Sequence, residues 1–160
     1  VVGNIPYNIS TPIIEKLIDE RAVLRHIFLT VQREFARRLI AEPGTKDYGA
    51  LTCFVRYFYD VREHFLIHPQ SFRPVPRVTS SFIELSYRDP VVRARDERLL
   101  FKITRMAFSR RRKTLVNALV ETVSREKLKT VLAEMNLDER VRPEELSLSE
   151  YVRLADALAF

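Results

Sequence analysis

The sequence predicts an α/β domain followed by an all-helical unit, and three observations lead to that prediction. Near the N-terminus, short apolar runs alternate with segments of helical period, in the order strand, helix, strand, helix. Two further β-prone runs enclose a proline-rich segment. From Asp96 onward the chain has one proline, no glycine and a strong helical period. We therefore predict an α/β domain over residues 1–90 and a helical domain over residues 91–160, with the boundary near residues 87–95.

The first strand and helix enclose a polar-aromatic loop. A short apolar run stops at Gly3, and Asn4-Ile5-Pro6-Tyr7 follows at once. Thr11 is a plausible N-cap and Pro12 suits the first helical position, so we predict a helix over residues 12–20. Because the chain starts at Val1, already inside an apparent strand, we expect it to be a fragment of a longer protein.

The next elements favour a parallel sheet. His26–Val31 is a compact β-prone run without glycine or proline, typical of a buried strand. A second helix carries Phe35, Ala36, Leu39 and Ile40 on one face and stops at Pro43-Gly44. This alternation is typical of βαβ units, whose strands run parallel.

The segment from Leu51 to Ile67 is apolar and aromatic throughout, so its periodicity is ambiguous. We divide it into a helix over about residues 49–57 and a strand over about residues 61–67. Three prolines make His68–Pro76 a stiff loop, and strand alternation resumes over residues 80–86. In the helical part, Ser124 can cap one helix, and Ser147-Leu148-Ser149-Glu150 is a capping box for the last.

Composition and charge narrow the range of functions. The chain has 27 Lys and Arg against 21 Asp and Glu, a net charge of +6 that favours a polyanionic partner. No apolar run has the length needed to cross a membrane. The single Cys53 cannot form an internal disulfide and lies in an apolar run, so we expect a small core residue in a reducing cytoplasm. The three histidines have no metal-ligand spacing, and we expect no metal site.

The segment Asn4-Ile5-Pro6-Tyr7 suits the methylation of an exocyclic amine. The amino nitrogen of adenine is a poor nucleophile because its lone pair is delocalised into the ring. Two fixed acceptors, the Asn4 side-chain oxygen and the Ile5 carbonyl, can accept hydrogen bonds from its two N–H groups and favour a tetrahedral nitrogen. Pro6 stiffens the turn and Tyr7 offers a stacking face. The alternative is a plain β-turn with a half-buried tyrosine.

A second aromatic lies in the proline-rich loop. Phe72, held in Ser71-Phe72-Arg73-Pro74-Val75-Pro76-Arg77-Val78, can serve as the opposite stacking wall for an extruded base. The alternative is a surface loop that tucks one aromatic into the core.

The densest basic cluster is Arg110-Arg111-Arg112-Lys113, at or near a junction between predicted helices. Guanidinium groups pair well with phosphate oxygens, so the cluster can clamp a nucleic-acid backbone. The alternative is a solvated basic face without a ligand.

Several ordered motifs together resemble those of the small-subunit ribosomal RNA adenine N6-dimethyltransferases of the KsgA (RsmA) type. The resemblance covers nearly all of the chain. It is carried by Asn4–Pro12, by Val31-Gln32-Arg33-Glu34 with Arg37-Arg38-Leu39, by Tyr48-Gly49, by Phe72–Ser80, by Phe108–Leu115 and by Arg142-Pro143-Glu144-Glu145-Leu146-Ser147.

This resemblance implies the second half of a Rossmann-like class I methyltransferase domain, followed by a small all-α C-terminal domain that binds RNA. It implies S-adenosyl-L-methionine as methyl donor, and as acceptor two adjacent adenosines in the 3′-terminal hairpin of 16S (small-subunit) ribosomal RNA. Asn4, Ile5, Pro6 and Tyr7 match the catalytic loop, Phe72 the second stacking aromatic, and Asn4 also a position near the methionine end of the donor. As residues that bind RNA we predict Arg73, Arg77, Arg110, Arg111, Arg112 and Lys113.

The resemblance also implies a cytoplasmic enzyme of ribosome biogenesis that acts on the precursor of the 30S subunit, and we expect a monomer with no membrane association. The glycine-rich loop and the acidic residue that hold the donor in the family precede the matched region. We therefore expect the fragment alone to be inactive. Two alternatives stay open: a non-catalytic RNA-binding or ribosome-assembly module, and a large-subunit ribosomal RNA adenine N6-methylase.

Overall fold

A computed structural model describes residues 1–159, and the chain divides into two compact units. The first, the sheet unit, comprises Val1–Ala41 and Phe54–Asp89; the second, the helical unit, comprises Glu42–Cys53 and Pro90–Phe160. No described helix is both long and apolar enough to cross a lipid bilayer.

The sheet unit is built on four strands of mixed direction. These are β1 (Val2–Asn4), β2 (His26–Gln32), β3 (Tyr59–Ile67) and β4 (Ser80–Tyr87), in the order β1-β2-β4-β3. Strands β1 and β2 are parallel, as predicted, whereas β4 is antiparallel to both β2 and β3. The expectation of a parallel sheet is therefore wrong for β4, which runs against both of its neighbours, whereas β3 runs in the same direction as β1 and β2. A parallel pair needs a long crossover, usually a helix, and the connector between β3 and β4 holds only a 3₁₀ turn at Pro69–Ser71.

Helix α1 (Ser10–Asp19) begins before the predicted start at Pro12 with Thr11 as its cap. A 3₁₀ turn at Tyr7–Ile9 leads directly into it. The Ser10 hydroxyl donates to the carbonyls of Pro6 and Tyr7, at 3.3 and 3.2 Å, and so ties the helix to the preceding turn. Because these local bonds continue the turn, the helix needs no cap at Thr11.

Two more helices complete the first part of the chain. Helix α2 (Arg33–Ile40) buries Phe35, Ala36 and Leu39, in agreement with the predicted face. Helix α3 (Ala50–Phe58) runs straight into β3, so the ambiguous segment is divided close to the predicted point. The boundary between the two compact units falls within α3.

The two faces of the sheet differ in burial. Ile27, Leu29 and Val31 of β2 and Ile83 and Leu85 of β4 are at most 1% exposed and form its core. On the other face, the ring of Phe82 stacks on those of Phe28 and Phe65, with centroids 6.1 and 5.0 Å apart. The buried Val, Leu and Ile residues occupy every second position of β2 and β4, so they all lie on the same face of the sheet.

The helical unit contains four further helices. They are α4 (Glu97–Ser109), α5 (Leu115–Leu119), α6 (Arg125–Glu134) and α7 (Leu148–Leu158), with a 3₁₀ turn at Pro143–Glu145. The side chains of Asp96, Thr114, Ser124 and Ser147 accept hydrogen bonds from backbone N–H groups of the first turns of these helices. The predicted cap at Ser124 and the capping box from Ser147 to Glu150 are confirmed.

Tyr151 is the polar anchor of the helical core. Its side chain is fully buried, and its hydroxyl donates to the carbonyl of Pro143 at 2.8 Å. Its ring lies 5.8 Å from that of Phe108. Burial raises the pKa of the Tyr151 hydroxyl well above its usual value, because the charged phenolate has no solvation there.

Tyr151 makes the stability of the helical unit sensitive to alkali. Since the pKa is higher in the folded state than in the unfolded chain, about 10, this contribution is complete below about pH 10 and is lost as the pH rises through the folded-state value. Tyr151→Phe should cost about 1–3 kcal/mol at neutral pH, because the Pro143 carbonyl loses its donor. It should also weaken the alkaline loss of stability, measured by urea unfolding at several pH values.

Tyr87→Phe is the matched control, because its hydroxyl donates to Asp89 at the surface. It should leave both quantities near wild type. An alkaline loss in Tyr151→Phe equal to that of the wild type would contradict the assignment.

Candidate functional site

The carboxyl ends of the two parallel strands lie at one edge of the sheet. Asn4, the last residue of β1, is in register with Thr30 of β2, and the backbone N–H of Ile5 donates to the Thr30 carbonyl at 3.3 Å. Ile5 is buried, whereas Asn4 is exposed. The sheet therefore fixes the backbone of Asn4-Ile5 and leaves the Asn4 side chain at the open edge, where ligands of α/β sheets bind.

The structure brings together the two loops singled out in the sequence. A cleft of about 310 Å³, here called the loop cleft, is lined by Asn4, Ile5, Pro6 and Tyr7 on one side and by Phe72, Arg73, Pro74 and Pro76 on the other. Arg77 lies exposed in the same loop but does not line the cleft. An amide, a backbone carbonyl and two aromatic side chains around one cleft suit a flat, amine-bearing ring.

Ser80 is a residue of this site that the sequence did not single out for function. Its hydroxyl lies 2.6 Å from that of Tyr7, and Ser80 itself is fully buried at the start of β4. Ser80 also pairs in register with Gln32 on one side and Ile67 on the other. The bond therefore ties the Tyr7 ring to the central strand, immediately after the proline-rich loop. Ser80 ends the Phe72–Ser80 segment that carries the family resemblance, but a serine in a β-prone run gives no sequence signal for such a contact.

A second, smaller cleft shares Tyr7 with the loop cleft. It has a volume of about 170 Å³ and opens between the start of α1 and the start of α2. We call it the polar cleft, because its walls carry the side chains of Asn8, Thr11, Gln32, Glu34 and Arg38. These positions lie in the segments Asn4–Pro12, Val31–Glu34 and Arg37–Leu39 that carry the family resemblance, but the sequence predicted no binding role for them.

In the helical unit, the basic cluster forms the turn between α4 and α5, as predicted. A cavity of about 810 Å³ is lined by Phe108, Ser109, Asn117 and the four residues of Arg110–Lys113. Thr114 then caps α5 through its hydroxyl, which accepts from the Asn117 N–H. The cap ends the turn and holds the four cations in one short connection.

The four cations of this basic turn have different surroundings. Arg110 forms an ion pair with Glu121 at 2.6 Å. Arg111 donates to the carbonyls of Lys46 and Thr45, at 2.8 and 3.5 Å. Arg112 and Lys113 are exposed, and their side chains have no partner within residues 1–159. Arg110 and Arg111 thus stabilise the turn through contacts within the helical unit, and Arg112 and Lys113 are available to an external anion.

Cys53 and the histidines take no part in these sites. Cys53 is buried and its thiol donates to the Tyr48 hydroxyl at 3.2 Å, in keeping with the expected core role. His26 and His64 lie beside Glu84, at 3.3 and 2.9 Å, on the open face of the sheet. A hydrogen bond from the Ser86 hydroxyl lowers the pKa of the Glu84 carboxyl, and the hydrogen bond with His64 lowers it to a smaller extent. Among the described residues, no group of three or more His, Cys, Asp or Glu side chains could hold a metal ion.

Comparison with known proteins gives relatives over almost the whole chain. The ribosomal RNA small subunit methyltransferase A of Pseudomonas aeruginosa is 41% identical over 160 residues, and that of Marinobacter nauticus is 39% identical over 160 residues. Each alignment covers 99% of this chain, and 58% and 56% of the respective relative. The chain thus spans little more than half the length of these curated relatives.

Solved structures show the same fold. A dimethyladenosine transferase from Plasmodium falciparum matches with a TM-score of 0.81 and 26% identity, over 96% of this chain and 64% of that one. The 23S rRNA methyltransferase ErmE matches with a TM-score of 0.68 and 22% identity, over 98% of this chain and 64% of that one, which supports the fold alone. The family described as ribosomal RNA adenine dimethylase matches residues 1–159. With the loop cleft at the carboxyl ends of β1 and β2 and a family match over all described residues, the chain belongs to the ribosomal RNA adenine dimethylases.

Proposed function

We propose that the whole protein transfers methyl groups from S-adenosyl-L-methionine to the N6 amines of two adjacent adenosines in the 3′-terminal hairpin of small-subunit ribosomal RNA, and that this chain supplies the acceptor side. The observation that carries the proposal is the loop cleft, in which Asn4 and Ile5 face the same space as Tyr7 and Phe72. Family membership and the names of the relatives support it.

The loop cleft has the groups that activation of an amine requires. The Asn4 side-chain oxygen and the Ile5 carbonyl accept hydrogen bonds from the two N–H groups of the adenine amine. These two bonds favour a tetrahedral, nucleophilic nitrogen. Tyr7 and Phe72 stack on the two faces of the extruded base. Once methylated, the cationic nitrogen loses its proton to water, so no side chain has to act as general base.

The donor is held only in small part by this chain. S-adenosyl-L-methionine supplies the electrophilic methyl group when it is bound. Of the residues at the loop cleft, Asn4 fits a place beside its methionine end, because its exposed amide offers both a donor and an acceptor. The three glycines, Gly3, Gly44 and Gly49, are too dispersed to form a glycine-rich nucleotide loop. The 160-residue chain alone should therefore transfer no radiolabelled methyl group.

The basic turn provides the second part of the proposal. We assign residues 1–90 to the later half of a Rossmann-like methyltransferase domain and residues 91–160 to an all-helical RNA-binding domain. Arg73 and Arg77 near the loop cleft and Arg112 and Lys113 in the basic turn contact the RNA backbone, while Arg110 and Arg111, also predicted to bind RNA, shape the turn through Glu121 and the carbonyls of Thr45 and Lys46. The substrate particle is the precursor of the small ribosomal subunit, and the protein acts as a monomer in the cytoplasm.

One alternative rests on a specific observation. The basic turn is complete within the helical unit, so the chain could bind ribosomal RNA without catalysis. Methyl transfer by the whole protein separates the two functions, since a binding module would give none. A large-subunit RNA methylase is the other alternative, and competition between the two RNAs as substrates decides between them.

The Asn4 acceptor is tested in the whole protein. Asn4→Ala should lower the methyl-transfer rate by about a hundred- to a thousandfold, the loss expected when a transition-state hydrogen bond is removed. Its RNA affinity should stay within about twofold, because the phosphate contacts are intact. The measurements are single-turnover transfer of labelled methyl groups and RNA binding by fluorescence anisotropy. Gln70→Ala, which changes an exposed amide at a position that does not line the loop cleft, is the control and should transfer at a rate far above that of Asn4→Ala.

The basic turn is tested by the salt dependence of RNA binding to the 160-residue chain. Replacing Arg112 and Lys113 by Ala should reduce the slope of log affinity against log salt by about 2, because two phosphate contacts are lost. Arg98→Ala with Lys102→Ala removes the same charge from exposed positions of α4 and should leave the slope nearly unchanged. Equal slopes for the two double variants would locate the RNA surface elsewhere.

The bond between Tyr7 and Ser80 is tested by Tyr7→Phe. The ring remains, but the buried Ser80 hydroxyl loses its partner, which should cost about 1–3 kcal/mol of unfolding free energy. In the whole protein, methyl transfer should fall less than in Tyr7→Ala, since the stacking face is retained. Tyr87→Phe, which loses an exposed bond, should cost clearly less; equal costs would show that the Ser80 bond does not stabilise the fold.

A further inference from the structure

The polar cleft lies beside the loop cleft but has a different lining. Gln32 is the last residue of β2 and Asn4 the last of β1, and the two strands are parallel, so both clefts open at the same edge of the sheet. Tyr7 borders both clefts. The Ser80 hydroxyl holds the Tyr7 hydroxyl at 2.6 Å, which limits the freedom of the ring to move between them. A ligand that spans this edge therefore meets two adjoining sites with one shared wall.

The side chains of the polar cleft select for a particular chemistry. Glu34 and Asn8 are exposed, and neither has a side-chain partner within residues 1–159. A carboxylate accepts hydrogen bonds from hydroxyl groups, whereas amide and hydroxyl side chains such as Asn8, Gln32 and Thr11 can also donate. The guanidinium of Arg38 adds one cation to this lining.

Other ligand classes fit this lining less well. A base would need an aromatic wall on each side, but Phe35 is only 8% exposed, so Tyr7 is left as the single accessible ring. A free phosphate would be repelled by the Glu34 carboxylate. One carboxylate without a histidine or a thiolate is a poor set of metal ligands. A ribose fits better, because its hydroxyls can donate to Glu34 and its phosphate is attracted by the positive charge of Arg38.

The surface of α2 supports a polyanionic chain at this place. Arg33, Arg37 and Arg38 are exposed on the helix against the single acid Glu34. The backbone N–H of Arg33 donates to the Thr79 carbonyl at 3.1 Å, so α2 starts beside the end of the proline-rich loop. Positive side chains thus continue along the same edge from that loop to α2, and they attract a nucleic-acid backbone.

We propose that the polar cleft binds the ribose and phosphate of the nucleotide adjacent to the target adenosine, with the Glu34 carboxylate accepting a hydrogen bond from its 2′-hydroxyl. The inference rests on the proposed function of the loop cleft, since it needs an RNA strand whose target base is held there. It adds a selective element: a 2′-hydroxyl is what distinguishes RNA from DNA at a given site.

The test measures the binding of the 160-residue chain to a labelled RNA hairpin that contains two adjacent adenosines. Single 2′-deoxy substitutions are placed in turn at each of the two adenosines and at each nucleotide flanking them, and binding is followed by fluorescence anisotropy. With the wild-type chain, removing the 2′-hydroxyl at one of these positions should weaken binding about tenfold. This loss corresponds to one hydrogen bond to a charged group. In Glu34→Ala, the same substitution should change binding less than about twofold.

Two further variants serve as controls. Asp19→Ala removes one exposed carboxylate from the other end of α1, so it changes the net charge equally and should keep the tenfold penalty. Glu34→Gln keeps an acceptor oxygen and should keep part of the penalty. Circular dichroism of all variants checks that they are folded.

The outcomes separate this inference from the proposed function. If the wild-type chain does not bind the hairpin at all, the proposed RNA function of this chain is wrong, and the inference fails with it. If the wild type binds but no 2′-hydroxyl of the two adenosines or of their neighbours matters, or if Glu34→Ala keeps the full penalty, the polar cleft is not a ribose site. The proposed RNA function would then stand without it.

Discussion

The geometry of the sheet unit depends on the start of β4, where a buried serine holds the tyrosine of another loop. Ser80 pairs with Gln32 and Ile67 on its two sides, and its hydroxyl contacts that of Tyr7 at 2.6 Å. The proline-rich loop ends just before this residue. One fully buried side chain therefore sets the position of the tyrosine relative to Phe72, the aromatic residue opposite.

The chemistry proposed for the loop cleft needs this stiffness more than it needs reactive groups. In the proposed reaction the adenine amine is the nucleophile and no side chain acts as nucleophile or general base, so the protein accelerates transfer by holding the amine in the right geometry. The Ile5 carbonyl is fixed because its own N–H is bonded to Thr30 of the neighbouring strand. A neighbouring ribose site would add further positioning, since it would hold the RNA strand on the other side of Tyr7.

The basic turn shows that a cluster of like charges can divide its tasks. Two of its arginines are used within the helical unit, one in an ion pair with Glu121 and one on backbone carbonyls. Arg112 and Lys113 are left to solvent. Partners inside the fold reduce the cost of placing four cations in one turn, and they present the remaining two outward for an anion.

Local patterns in the sequence predicted most of the elements, the caps at Ser124 and Ser147 and the two loops of the candidate site, because periodicity, proline placement and capping act over a few neighbouring residues. They did not predict the reversed direction of β4, the earlier start of α1, the bond from Ser80 to Tyr7 or the polar cleft. Each of these depends on residues far apart in the chain, or on a turn that continues into a helix. Tyr7 and Ser80 become neighbours only when β4 pairs with β2, so tertiary structure alone decided that contact.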